Sequence, residues 1–183
     1  PTSTSVENSS WSLKLATYNV WGLPVISKFK EIRMPLIGER LKSRALDLAF
    51  MQEAWLQKGR DEIFSRSGFN YNYYFKASGY VGSGVFQLSK YPILRTTFNQ
   101  FLLCGRLERI WDGEPISGKG IGMSTINFNG MPISLFNTHT VARHDFSTAT
   151  TPEDRYSIDR LTNLFEIFKH IVENRDSDYF ILG

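Results

Sequence analysis

The stretch Leu46–Trp55, L-D-L-A-F-M-Q-E-A-W, constrains the rest of the chain more than any other. Five of its first six residues are apolar, with Asp47 the exception. An unbroken apolar run of this length reads as a strand buried on both faces, so other layers must cover both sides of its sheet. The run ends in a carboxylate, Glu53. A charge at the rim of such a core is costly unless it reaches water, pairs, or binds a metal.

The pattern around it is mixed. Leu13–Val20 alternates as a strand does and closes at Trp21-Gly22-Leu23-Pro24. Phe29–Arg44 carries Phe29, Ile32, Leu36, Ile37 and Leu41 at helical spacing, and Pro35 should kink or restart that helix. Strand, crossover helix and strand together imply a sheet covered by a helix. Gly59–Arg66 allows a short helix. Tyr71–Lys76, Val85–Ser89 and Ile93–Leu103 are strand-like, and the glycine-rich 78–84 separates the first two. Gly120–Phe128 and Met131–Thr138 flank Asn129-Gly130, the favoured pair for a type I′ hairpin turn. Thr151-Pro152-Glu153-Asp154 reads as a helix start. Ile158, Leu161, Phe165, Phe168 and Val172 follow as an apolar stripe, expected to face the core. Asp178–Leu182 opens another strand. Paired antiparallel strands in the middle argue against a simple doubly wound parallel sheet.

Composition excludes several classes. A chain of 183 residues with 42% apolar and 14% aromatic residues has enough apolar mass for one core. A net charge of +3 gives no nucleic-acid footprint. The single Cys104 rules out an internal disulfide and a cysteine-based zinc site, and leans toward an intracellular setting. No run approaches the ~18 apolar residues of a membrane span. Residues 1–10 read as a disordered leader and 11–183 as the N-terminal part of one domain. Both ends read as cut.

Three polar residues stand at or just beyond strand ends: Asn19, Glu53 and His139. Read singly, Glu53 meets water, Asn19 forms a turn, and His139 is a structural hydrogen-bonder. Read together, an amide, a carboxylate and an imidazole suit metal-assisted phosphodiester chemistry. The carboxylate is a hard ligand for Mg²⁺, and the other two can hold phosphate oxygens or move a proton.

T-Y-N-V-W-G-L-P (Thr17–Pro24), A-F-M-Q-E-A-W (Ala49–Trp55), G-S-G-V-F-Q-L-S-K-Y-P-I (Gly82–Ile93), S-G-K-G-I-G (Ser117–Gly122) and N-T-H-T (Asn137–Thr140) occur in this order. Together they resemble the endonuclease/exonuclease/phosphatase superfamily, and within it the neutral, Mg²⁺-dependent sphingomyelinase branch. The resemblance implies an α/β fold of two packed mixed β-sheets flanked by helices, a deoxyribonuclease-like four-layer sandwich present as its N-terminal portion. It implies hydrolysis of sphingomyelin, or a related choline lipid in a membrane, to ceramide and phosphocholine. The cofactor would be Mg²⁺, with Mn²⁺ as the alternative.

Glu53 matches the metal-binding glutamate, Asn19 the asparagine beside metal and phosphate, and His139 the phosphoryl-contacting histidine. Lys119 matches the lysine of a loop linked to activation and to anionic phospholipid; read alone it is a solvated loop lysine. Similar sequences carry Asp five positions before that lysine. Here the position is Glu114, with Asp112 two residues earlier, and either could substitute. The superfamily's later Gly-Asp-x-Asn and Ser-Asp-His motifs have no match here. His144 and His170 are expected to be exposed and not to replace them, so these residues alone should turn over poorly. The expected setting is a membrane surface, intracellular, with secretion left open. The competing readings are a nuclease of the same superfamily and a non-catalytic lipid- or partner-binding module, with Tyr80 and Trp111 as interfacial aromatics.

Overall fold

The computed structural model describes residues 11–78, 81–104, 117–142 and 156–183. The leader 1–10, Tyr80, Trp111, Asp112, Glu114, His144 and the Thr151–Asp154 helix start lie outside those residues.

The architecture grows outward from the apolar run. Strand β2 is Leu48–Gln52, and all five of its residues are buried. Side chains on a strand alternate between faces, so it feeds two cores at once. Leu48 and Phe50 meet Ile126, Phe128, Ile133 and Leu135 from a second sheet. Ala49 and Met51 meet Met34, Leu41 and Ile63 from two helices. Burying each large side chain stabilises the fold by roughly 1.5–3 kcal/mol relative to leaving it in water.

The first sheet runs β1 (Leu15–Asn19), β2, β4 (Phe86–Ser89), β3 (Tyr71–Tyr74) in spatial order. β1 and β2 are parallel, with Asn19 opposite Gln52, and the crossover between them is helix α1 (Lys30–Ser43). β4 is antiparallel to both neighbours, so the sheet is mixed. Helix α2 (Gln57–Ser67) lies beside α1 on the same outer face. Pro35 does not restart α1, which runs on through it as one helix. Met34, Gly38 and Leu41 form its buried face, and Pro35 sits off that line, only half-buried.

The second sheet is ordered β5 (Ile93–Gln100), β6 (Gly120–Phe128), β7 (Met131–Thr138), β8 (Phe180–Leu182). β5–β6 and β6–β7 are antiparallel and β7–β8 parallel. The expected hairpin turn is present: Asn129 and Gly130 have φ of 51° and 89°, as a type I′ turn requires. Helix α3 (Ser157–Asn174) covers the outer face, with Ile167 against Phe101, Ile121, Met123 and Phe136. The layers therefore run helices, sheet, sheet, helix.

Helix α3 corrects one expectation. The stripe Ile158, Leu161, Phe165, Phe168 and Val172 faces outward, each residue 55–72% exposed. The face turned to the sheet is Asn163, Ile167 and His170. Asn163 accepts from the Val141 amide (3.2 Å) and donates to the Leu103 carbonyl (3.0 Å). Those backbone groups need partners where they are covered, and the polar face of α3 supplies them. His170 is likewise buried rather than exposed; its ring meets Thr97 Oγ1 at 3.4 Å and the edge of Phe136.

Candidate active site

The three strand-end residues converge. Asn19 and Glu53 leave adjacent parallel strands, and Asn19 Nδ2 donates to Glu53 Oε1 at 2.8 Å. His139 follows β7 in the other sheet, yet its Nε2 lies 3.8 Å from the same Glu53 oxygen. The two sheets thus present their ends to one small site. The side chains of Glu53 and His139 are only 17% and 15% exposed.

Each group is held from behind. Asn19 Oδ1 accepts from the Trp21 amide at 2.9 Å. Glu53 has φ of 57°, a left-handed conformation that costs about 1–2 kcal/mol for a residue with a Cβ. Its carbonyl accepts from Gly22 N, and the next amide, Ala54 N, donates to the Gly84 carbonyl, both at 2.9 Å. A Cβ on residue 22 would lie 2.5 Å from the Glu53 carbonyl oxygen, so this close pairing needs glycine. The His139 amide donates to the Gly120 carbonyl at 3.3 Å, and the Thr138 hydroxyl to the same oxygen at 3.0 Å.

Beneath the site lies a polar bridge that sequence reasoning missed. Asn137 is fully buried. Its Oδ1 accepts from Gln52 Nε2 at 2.8 Å, and its Nδ2 donates to the Met51 and Phe86 carbonyls at 3.3 and 3.0 Å. Gln52 also reaches Thr17 Oγ1 at 3.1 Å. The bridge ties the Glu53 strand to the His139 strand one residue before the first and two before the second. Its signal was an amide closing each of two apolar runs, A-F-M-Q and S-L-F-N. A buried amide needs partners, and two such amides can satisfy each other.

Lys119 is not a solvated loop lysine: it is 4% exposed, and Nζ donates to the Thr140 carbonyl at 3.2 Å. It bears on the imidazole electrostatically. Burial, and then the Lys119 charge, push the His139 pKa down to about 3. His139 is therefore neutral at pH 7, and its approach to Glu53 is a dipolar contact rather than an ion pair. Three buried polar atoms here have no partner: Glu53 Oε2, His139 Nδ1 and Trp55 Nε1. The Trp55 and His139 rings stand 6.4 Å apart.

An orphaned, buried carboxylate oxygen is an unfavourable arrangement unless something binds it. A divalent cation fits the donors present. Glu53 Oε2 would be its ligand and Asn19 the neighbouring oxygen donor, since Mg²⁺ accepts one or two carboxylates while keeping several waters. Among the described residues no group of three or more His, Cys, Asp or Glu side chains converges.

No protein-family model matches the chain. A putative neutral sphingomyelinase of Drosophila melanogaster is 32% identical over 170 residues, covering 89% of this chain and 36% of its own length. An inositol phosphosphingolipids phospholipase C of Schizosaccharomyces pombe is 32% identical over 168 residues, covering 90% and 38%. The chain is a homologue of the neutral sphingomyelinases. It spans just over a third of the length of these relatives. Among solved structures, a Staphylococcus aureus beta toxin variant with bound magnesium ions superposes with a TM-score of 0.73 at 24% identity, over 93% of this chain and 63% of its own. An endonuclease/exonuclease/phosphatase family protein from Leptotrichia buccalis does so with a TM-score of 0.60 at 16% identity, over 93% and 66%. The homologue's two sheets and flanking helices are thus the fold of that superfamily.

Proposed function

We propose that this chain carries metal-binding and phosphate-binding residues of a Mg²⁺-dependent phosphodiesterase that hydrolyses sphingomyelin to ceramide and phosphocholine at a membrane surface. The observation that carries the reading is the meeting of Asn19 and His139 at Glu53 Oε1, which leaves Glu53 Oε2 buried and unpartnered. The sphingomyelinase relatives supply the substrate class.

Bound Mg²⁺ would neutralise charge building on the phosphoryl oxygens. The chain's own residues do the rest. Asn19 Nδ2 holds Glu53 Oε1, which fixes the carboxylate's rotation and leaves Oε2 as the oxygen that would hold the cation. Because Trp21 N restrains Asn19 Oδ1, the amide keeps its orientation when substrate arrives. His139, kept neutral by burial and Lys119, donates a ring N–H to a phosphoryl or leaving-group oxygen. Lys119 is enclosed, so its part in this reading is to set that protonation state rather than to touch anionic phospholipid. These residues alone should turn over poorly, because among the described residues no third His, Cys, Asp or Glu joins Glu53 and His139 to activate water.

The test is phosphocholine release from sphingomyelin vesicles in Mg²⁺ and in EDTA, with magnesium titration by calorimetry as the readout independent of turnover. Magnesium binding that Glu53→Gln abolishes supports the reading. Plasmid nicking under the same conditions, without lipid hydrolysis, would replace it with a nuclease. Vesicle binding with neither metal affinity nor turnover would leave a non-catalytic lipid-binding module.

A further inference from the structure

The segment between β1 and α1 presents apolar side chains to water at the edge of the site. Val25 is 92% exposed, Ile26 and Phe29 69% each, and Trp21 44%. An exposed apolar residue alone needs no explanation, but a contiguous group does. This group is also held outward. Arg33 donates to the Val20, Trp21 and Lys28 carbonyls at 2.8, 2.8 and 3.0 Å, and its guanidinium lies 5.2 Å from the Trp21 ring centre. Lys30 Nζ donates to the Leu23 carbonyl at 2.8 Å and to that of Pro24. Trp21 and Phe29 both sit at positive φ, 47° and 56°. The framework thus maintains unfavourable backbone at two aromatic positions while leaving both rings accessible, a combination found where strain serves function.

The position identifies the occupant. Asn19 binds the Trp21 amide and Glu53 binds the Gly22 amide, so the loop is continuous with the candidate site. Tryptophan, phenylalanine and two aliphatic tips beside the exposed Lys28 are the side chains that enter a lipid–water interface, with a cation to meet lipid phosphate. We infer that the β1–α1 loop is a bilayer-docking wedge: Val25, Ile26, Phe29 and the Trp21 ring enter the headgroup region and bring the Asn19–Glu53 pair to the lipid surface. This rests on the reading of the substrate as a membrane lipid. The larger apolar face of α3 lies on the outer side of the second sheet, and nothing there identifies what covers it.

The test is co-sedimentation with sphingomyelin–phosphatidylcholine vesicles in EDTA, so that turnover plays no part. The variant Val25→Ser/Ile26→Ser/Phe29→Asn removes the tips, and asparagine accepts the left-handed backbone at position 29. Circular dichroism and the melting temperature should not fall, because all three residues are exposed. Vesicle partitioning should fall by roughly tenfold or more, since each lost apolar tip weakens insertion. The control Phe165→Ser/Phe168→Ser on α3 should bind as the parent does. Unchanged binding by the loop variant overturns the wedge, as does loss confined to the α3 variant. So does sedimentation showing a loop-dependent dimer that does not bind vesicles. Loop-dependent binding without Mg²⁺ binding that Glu53→Gln abolishes would uphold the wedge and refute the proposed metal-dependent reaction. Glu53-dependent Mg²⁺ binding with loop-independent vesicle binding would do the reverse.

Discussion

Replacing Asn137 tests whether the two sheets are locked together beneath the site by a polar bridge. The residue makes three hydrogen bonds and is fully buried. Asn137→Ala removes all three, takes a partner from Gln52, and leaves a small void. A buried group stripped of its partner costs about 1–3 kcal/mol, so a loss of roughly 2–5 kcal/mol is expected. In a chain of this size that lowers the melting temperature by about 10 °C. Asn137→Asp is nearly isosteric and should be worse at neutral pH. It turns a donor into a charged acceptor facing the Met51 and Phe86 carbonyls, and the damage should ease on acidification as the carboxyl protonates. The decisive measurement is a double-mutant cycle in urea with Gln52→Leu and Asn137→Leu. Replacing both amides leaves neither lacking the other, so the double variant should lose clearly less than the two single losses added. Additive losses, or an aspartate tolerated as well as alanine, would show that the amides do not act as a pair and would refute the reasoning.

Three further outcomes follow from the site. Glu53→Gln should weaken Mg²⁺ binding at least tenfold by calorimetry, because it removes the carboxylate with the free oxygen; unchanged affinity would place the metal elsewhere. Gly22→Ala should cost about 1–3 kcal/mol in chemical denaturation, since its Cβ would press on the Glu53 carbonyl oxygen; a neutral effect would mean that the two loops separate freely. Acid should destabilise the fold through His139. The folded imidazole titrates near 3 and an unfolded one near 6.5, so the unfolded state binds the proton more tightly. Stability is then full above about pH 6.5 and falls as pH drops toward 3, by up to about 1.4 kcal/mol per pH unit for this group. His170, also lowered chiefly by burial, acts in the same direction. Urea titrations in EDTA should show a shallower pH slope in His139→Asn, and an unaltered slope would show that the ring is not buried neutral.

Much of this organisation was legible in the chain itself. The run Leu48–Met51 announced a strand covered on both sides, and its alternate residues do feed separate cores. Asn129-Gly130 announced its turn because φ > 0 at two successive positions is a local demand with few residue solutions. Asn19, Glu53 and His139 were legible as strand-end polar groups, but their meeting was not. His139 lies 86 residues beyond Glu53, and only the packing of one sheet on the other brings them within 3.8 Å. Lys119 misled for a related reason. Glycine neighbours speak for local backbone freedom and carry no information about what packs over a side chain.

Helix α3 marks the boundary of sequence reading most sharply. Periodicity identifies which residues share a face; it does not say which face meets the sheet. The apolar stripe would bury more hydrocarbon, yet the helix turns Asn163, Ile167 and His170 inward. At this contact the Val141 amide is buried and the Leu103 carbonyl partly covered, and both need partners. Leaving two such groups unpaired costs roughly 2–6 kcal/mol, comparable to the burial of two or three apolar side chains. Asn163→Leu separates the two demands. It makes the inward face more apolar while stripping those partners, so it should destabilise by about 2 kcal/mol or more in urea. A stabilised variant would show that apolar area, and not backbone satisfaction, sets the rotation of α3.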